Sequence, residues 1–330
     1  MALVTVIVGI AGLWWMNATR PAHTYAGPVD EITLGFPVAA QVLSAPLWVA
    51  LDQGYFKDHG LEVTFKPQET SLLLAQDLRD GVIDAGFTTD FILVYNLTQF
   101  EQPRILATVA KADILEMLAR TDAGIHAPSD LKGKKIGIIF GTNTEFFLRD
   151  MLLFNNMSVQ DVTTVNLSPA AMEEALTEGA VDAVVIGDII AQQIKNSFGE
   201  RVTVWSAPVD QKLHWLLVSD QRSIERLEGV LERLVAALVQ AAAYIETYPD
   251  QSKVIIAERA NIKKELLDEL FPRYDFAVSL DHTLLLAMEN EARWAMEQHL
   301  PAHETMPNFL DFIHFHTLET ARPEAVTIIH

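Results

Sequence analysis

The chain has 330 residues, 50 % of them hydrophobic and 21 % charged, too long for one ordinary domain and apolar enough for two packed cores, so disorder is excluded as the main state. A net charge of −20 leaves too few clustered Lys and Arg to bind phosphate backbones, and no nucleic-acid partner is expected. With no Cys there is no disulfide framework, no thiolate nucleophile and no Cys-based zinc or iron–sulfur site.

Residues 2–16 carry no charge, and a small, polar stretch follows to Ala26. This run is shorter than the ~20 residues that span a bilayer unaided. Its length favours a secretory signal segment, with Thr24-Tyr25-Ala26 in the small-x-small cleavage pattern. No basic residue precedes it and Trp14-Trp15 suits a membrane interface, so an uncleaved anchor is the alternative. Residues 1–26 are set apart as signal peptide or anchor. The remainder is expected in the periplasm or on the outer face of the cytoplasmic membrane.

Residues 32–36 read as a strand, and Ser44-Ala45-Pro46 supplies an N-cap and a first-turn proline for a helix to about residue 53. Gly54 ends it and Gly60 closes the next turn. Leu61, Val63 and Phe65 then alternate with Glu62, Thr64 and Lys66 as a half-buried strand should. A helix at 71–79, a strand at 84–89, a helix at 91–100 and a strand at 105–109 continue the alternation, which implies a mostly parallel sheet covered on both faces.

Near Arg120 the pattern restarts. The basic turn 130–135 feeds a strand at 136–140, followed by a helix at 145–154, a strand at 163–167, a helix at 170–177, a strand at 182–187, a helix at 189–196 and a strand at 202–205. Residues 213–218 read as a strand leaving this second lobe. A long amphipathic helix at 223–248 ends at Pro249, and the rest is helical with turns near Pro272 and Pro301.

The two series share an internal repeat. Leu78, Asp80, Gly81, Ile83, Asp84, Ala85 and Asp90 are answered 98 residues later by Leu176, Glu178, Gly179, Val181, Asp182, Ala183 and Asp188. In each copy a helix ends at a Gly, an Asp-Ala opens a short strand, and an Asp starts the next helix. Ligands of open α/β sheets sit at such carboxyl ends of strands, so two similar lobes facing each other across a cleft are expected.

The stretch from Pro46-Leu47-Trp48 through Asp52-Gln53-Gly54-Tyr55-Phe56 to Gly60-Leu61-Glu62-Val63 closely resembles the signature of the nitrate/sulfonate/taurine-type (SsuA-like) solute-binding proteins of ABC transporters, a group that includes binders of thiamine pyrimidine precursors. Residues 78–85, 130–137 with Gly141-Thr142-Asn143-Thr144, 174–183 and 236–249 extend the resemblance in the same order. It implies an α/β, two-lobed periplasmic binding protein-like (type II) fold with mixed, mostly parallel sheets and two hinge crossovers. Lobe 1 would take residues 30–118 and 216–330, and lobe 2 residues 119–215. The implied function is ligand capture between the lobes for an ABC permease, with no catalysis, no cofactor and a monomeric chain. A periplasmic sensor module for a signalling partner is the alternative, while a pyrimidine-synthesising enzyme would need a Cys-rich iron motif that this chain lacks. Where relatives often carry a Glu-Pro pair after the second repeat strand, this chain has Gly187-Asp188, which disfavours an anion site.

Asp90 and Asp188 read as helix N-caps, and Thr142-x-x-Glu145 has the capping-box spacing in which Glu145 reaches back to Thr142. The resemblance makes Gly141, Thr142, Asn143 and Thr144 a binding loop. Asp90, Glu145 and Asp188 would then form an acidic rim suited to an amine, amidine or protonated heterocycle. Phe36 and Trp48 are candidate walls with Trp205 and Trp215, although core packing is the ordinary reading of each. Pro37, Ala39, Gln41, Thr88, Thr89, Lys111 and Asp113 follow strand ends, Gly187 precedes Asp188, and His214 is the one His in a cleft position. His314 with His316, and His299 with His303, lack zinc spacing, so no metal is expected. No phosphate loop, dinucleotide fingerprint or nucleophile elbow is present.

Overall fold

The computed structural model describes residues 25–37, 42–68, 71–207, 212–298 and 305–330. The signal-or-anchor segment lies outside them except for its last two residues. No helix among the described residues is long and apolar enough to cross a membrane.

In the first lobe, β1 (Asp30–Pro37) leads through α1 (Ala45–Asp52) and the one-turn α2 (Tyr55–Asp58) to β2 (Leu61–Gln68). Then come α3 (Ser71–Arg79), β3 (Ala85–Thr89), α4 (Asp90–Tyr95) and β4 (Pro103–Ala112). The second lobe holds β5 (Leu115–Arg120), β6 (Lys135–Ile138), α5 (Asn143–Phe154), β7 (Thr163–Asn166), α6 (Met172–Glu178), β8 (Ala183–Gly187), α7 (Asp188–Phe198) and β9 (Val202–Ser206). The chain returns as β10 (Leu213–Asp220) and adds α8 (Gln221–Thr247), α9 (Pro249–Ala260), α10 (Lys264–Leu270), β11 (Tyr274–Asp275), α11 (His282–Glu297) and α12 (Phe315–Ala321) to the first lobe.

The first sheet runs β11-β4-β10-β3-β1-β2 and the second β7-β6-β8-β5-β9. Both are mixed. In each, the strand arriving from the other lobe lies antiparallel beside the repeat strand: β10 beside β3, and β5 beside β8. The α/β class and two-lobed fold expected from the sequence are what is found, whereas β5 was not anticipated. Glu116, Met117, Leu118 and Ala119 are all buried, so β5 lacks the alternation that marks a half-buried strand. The first crossover, residues 113–114, joins β4 to β5.

The 98-residue repeat has one physical basis. Gly81 and Gly179 take φ of +67° and +73°, left-handed values that close α3 and α6 without a Cβ penalty. Three residues on, Asp84 Oδ2 accepts the Thr33 N–H and Asp182 Oδ2 accepts the Lys135 N–H, each at 2.8 Å. The repeated Asp thus ties β3 to β1 and β8 to β6, setting the parallel register Leu34↔Ala85 and Ile136↔Ala183. Gly86 lets these strands approach, since a Cβ there would stand 2.9 Å from the Gly35 carbonyl oxygen.

Candidate functional site

Three helices begin at the carboxyl ends of central strands, and each start is already occupied by a side-chain oxygen. Thr89 is the N-cap of α4, its Oγ1 accepting the Ile92 N–H, so Asp90 is the first helical residue and not the cap. Asp90 Oδ1 accepts the Phe91 N–H at 3.0 Å, while Oδ2 lies 2.7 Å from Nδ1 of His214 on β10. In the second lobe Gly187 holds the cap position of α7, Asp188 Oδ1 accepts the Ile189 N–H, and Oδ2 accepts the Tyr274 hydroxyl, both at 2.8 Å. The capping expectation is off by one residue because the last strand residue keeps the extended backbone that a cap needs. Burial raises the Asp188 carboxyl above its ordinary value against the pull of Tyr274 and Arg273. Burial first, and Asp188 second, push the Tyr274 hydroxyl well up.

At α5, Thr142 caps by accepting the Thr144 N–H, and Glu145 reaches back to the Gly141 N–H at 2.7 Å rather than to Thr142. Burial raises the Glu145 carboxyl. Asp281 caps α11 through the Thr283 N–H and pairs with Lys111. Burial works against ionisation of Asp281, but hydrogen bonds from Lys111, Thr283 and Ser279 outweigh it and hold the carboxyl below the usual carboxylate range.

Between the lobes lies a cavity of about 360 Å³, within the size range of small-molecule sites. The first lobe supplies Lys111, Ala112, Leu213, His214, Asp275, Thr283, Leu286, Ala287, Asn290 and Glu291. Leu115, Asn143, Phe146, Phe147 and Ala207 come from the second, and Asp113, Ile114 and Lys212 from the crossovers. Glu291 and His214 are the buried polar groups of this lining, 4 % and 2 % exposed. The Nε2 of His214 faces Thr283 Oγ1 at 3.1 Å. Glu291 Oε2 is buried without a hydrogen-bond partner. Burial, and then the negative charge of Asp90, push the Glu291 carboxyl well above the ordinary range.

Contacts between the lobes flank this cavity. Phe146 of α5 packs against Phe91 and Trp294, with ring centres 5.9 and 6.3 Å away. Thr89 Oγ1 donates to Asn143 Oδ1 at 2.9 Å, and Arg149 meets Glu297 at 3.2 Å. Near the first crossover, Glu116 of β5 pairs with Arg273 at 2.9 Å and Lys195 at 3.0 Å.

Of the residues selected from sequence, Asp113, Asn143 and His214 line the cavity together with Lys111. Thr89 and Asp90 stand behind it, bonded to Asn143 and His214. Thr88 is buried, its Oγ1 without a partner. Phe36 and Trp48 meet edge-on at 5.4 Å and pack with Phe65 in the first lobe's core, and Pro37 ends β1. Ala39 and Gln41 fall outside the described residues. Gly141, Thr142, Thr144 and Glu145 bond among themselves and to Ile139 instead of lining the cavity. Gly187 and Asp188 adjoin Tyr274. Asp90, Glu145 and Asp188 do not converge on the cavity as an acidic rim: Glu145 bonds the Gly141 N–H, while Asp90 and Asp188 each give one oxygen to the next backbone N–H and the other to His214 or Tyr274. Trp205 packs in the second lobe, and Trp215 stacks on Phe87 with centres 6.1 Å apart.

The profile of the NMT1/THI5-like family matches residues 41–252, more than half of the chain. This protein belongs to the NMT1/THI5-like family. A relative from Brucella abortus (strain 2308), named as a binding protein, is 23 % identical to this family member over 223 residues, 67 % of the present chain and 69 % of the relative. The 4-amino-5-hydroxymethyl-2-methylpyrimidine phosphate synthase of Aspergillus parasiticus is 26 % identical over 160 residues, 47 % of this chain and 45 % of the enzyme. Among solved structures, the periplasmic aliphatic sulphonate binding protein SsuA of Escherichia coli superposes with a TM-score of 0.74 at 16 % identity, covering 86 % of this chain and 97 % of that one. The alkanesulfonate-binding SsuA of Xanthomonas axonopodis pv. citri, bound to MOPS, gives 0.72 at 17 % identity over 88 % and 100 %. These likenesses show the periplasmic binding protein fold. The resemblance read from residues 46–63 holds at the level of family and fold.

Glu291 is absent from the sequence-derived set, yet this family member carries a signal for it. Leu284, Met288, Ala292 and Ala295 mark the buried stripe of α11, and Glu291 falls on that stripe one heptad after Leu284. A charged residue at a core-facing position of an amphipathic helix is the informative exception.

Proposed function

We propose that this protein is the extracytoplasmic solute receptor of an ABC importer, holding a small polar molecule between its lobes and presenting the closed form to a membrane permease. The carrying observation is that one cavity takes its walls from both lobes and both crossovers. A ligand there touches the two halves at once, which is the differential contact required to favour closure. The family membership and the binding proteins of the same fold support this reading. Export by the N-terminal segment, whether cleaved or kept as an anchor, and a monomeric, non-enzymatic chain are parts of the same proposal. A micromolar ligand makes about 8 kcal/mol available, and only the part gained in the closed form drives the motion. Small-angle scattering of the purified chain against a library of small polar solutes tests it. At least one solute should both compact the protein and raise its melting temperature; a library with neither effect would overturn the reading.

A further inference from the structure

We propose that the Glu291 carboxyl is the ligand anchor of the interlobe cavity and that its partner is a small organic cation bearing N–H donors, an ammonium or amidinium group on an apolar body. The inference rests on the solute-receptor reading and names the class of solute.

The first observation is the orphaned oxygen. Glu291 is 4 % exposed, lines the cavity and leaves Oε2 without a hydrogen-bond partner, an arrangement that costs free energy until a donor arrives. Of the two lysines in the lining, Lys111 is paired with Asp281 and bonded to Thr283. Among the described residues, no group donates to Glu291 Oε2. An N–H cation would do so with a charge-assisted bond, roughly twice as strong as a neutral one.

The second observation disfavours an anion. A helix N-terminus is the ordinary anion-binding device of a protein. Here Thr89 and Asp90 occupy the start of α4, Thr142 and Glu145 that of α5, Asp188 that of α7 and Asp281 that of α11. A sulfonate or nitrate in the cavity would therefore find none of these four helix starts free and would lie beside Glu291. Phe146, Phe147, Ile114, Leu115 and Leu286 offer apolar and aromatic faces that suit the body of an organic cation.

The titratable groups around the site are Asp90 behind Glu291, His214 on β10, Lys111 and Asp113 at the first crossover, Lys212 at the second and Asp275 on β11; α5 presents Asn143 and phenyl rings. Burial and Asp90 both favour the neutral carboxyl in the empty site. A cation pairs with the carboxylate, so any proton the carboxyl carries at entry passes to bulk water. Cation affinity should therefore rise with pH across the range in which Glu291 titrates.

The test uses the full chain, with benzamidine, acetamidine and ethylammonium as cations, benzamide as the neutral control, and ethanesulfonate, taurine and nitrate as the contrasting set. Thermal shift ranks them, and calorimetry at several pH values gives the affinities. The expected result is stabilisation by a cation but not by benzamide, cation affinity that rises with pH in the wild-type chain but not in Glu291→Gln, and affinity at least about tenfold weaker in Glu291→Gln. Glu291→Gln, which keeps the side-chain shape, should melt no lower than wild type when unliganded. Equal affinity in Glu291→Gln, or the same pH dependence in both chains, overturns the anchor. Stabilisation by the anionic set alone overturns the cation class and leaves the solute-receptor reading standing. Silence and no compaction across all probes and the wider library overturn both.

Discussion

Phe146 of the second lobe and Trp294 of the first stand edge-on with ring centres 6.3 Å apart, Phe91 completing the cluster between them. No covalent link enforces this contact, so it bears on the balance of open and closed forms more than on either core. Phe146→Ala should cost the closed form about 2 kcal/mol, the area and edge-to-face interaction of one ring. Small-angle scattering of the unliganded variant should give a larger radius of gyration than wild type; equal radii would count against the seam.

Asp90 and His214 form a buried pair, with side-chain exposures of 1 % and 3 %. Asp90→Asn keeps the shape but weakens the partner facing Nδ1, and a buried group left poorly paired costs about 1–3 kcal/mol. The same change removes the charge that helps to raise Glu291. Urea titration should show a lower midpoint than wild type at pH about 7, with an unchanged slope.

Glu291, Glu145 and Asp188 hold their protons more tightly in the fold than in the unfolded chain, chiefly because burial disfavours the carboxylate. A raised folded-state pKa contributes stability that is full below the unfolded value and lost as pH climbs through the folded one. The unliganded protein should therefore weaken from about pH 4.3 upward on account of Glu291. Asp281 has the opposite sign: burial opposes its charge, yet the hydrogen bonds from Lys111, Thr283 and Ser279 win, so its stabilisation is present above about pH 3.9 and lost on acidification. Melting curves of Glu291→Gln should fall less steeply than wild type as pH rises above about 4.3. Parallel curves would contradict the assignment.

Glu116 lies 7 % exposed between Arg273 and Lys195, tying β5 to the segment before β11 and to α7. Glu116→Ala removes the ion-pair partner of both cations, Arg273 keeping only its Nε–H bond to the Asp113 carbonyl. Because Arg273 and Lys195 keep 20 % and 26 % exposure, water recovers part of the loss, and the cost should be roughly 2–3 kcal/mol rather than the 3–5 of a fully enclosed pair. Thermal unfolding reads it directly, and a shift within error would show that solvent replaces the carboxylate.

The two-lobed α/β class, the span of α3 and the paired strands β3 and β8 were legible because periodicity, Gly caps and the Asp-Ala repeat act within a few residues of chain. Residues 115–120 were not, since a strand buried on both faces looks like any apolar run and takes its place between β8 and β9 only from the second sheet. His214 was identified as a cleft residue, but its partner Asp90 is 124 positions away and no spacing rule links them. Asp90 and Asp188 were expected at the cleft for their charge, and each instead divides its oxygens between a helix-start N–H and a distant side chain, His214 or Tyr274.

The amino-acid order alone settled what is local and what is repeated: element types, the turn glycines, and the Asp that ties each repeat strand to its neighbour. Which carboxyl meets the cavity was decided by tertiary packing, for Glu291 becomes unpaired only when α11 lies against α4 and the second lobe closes over it. Burial and distance set the chemistry of a charged group, and both are properties of neighbours brought together from far along the chain.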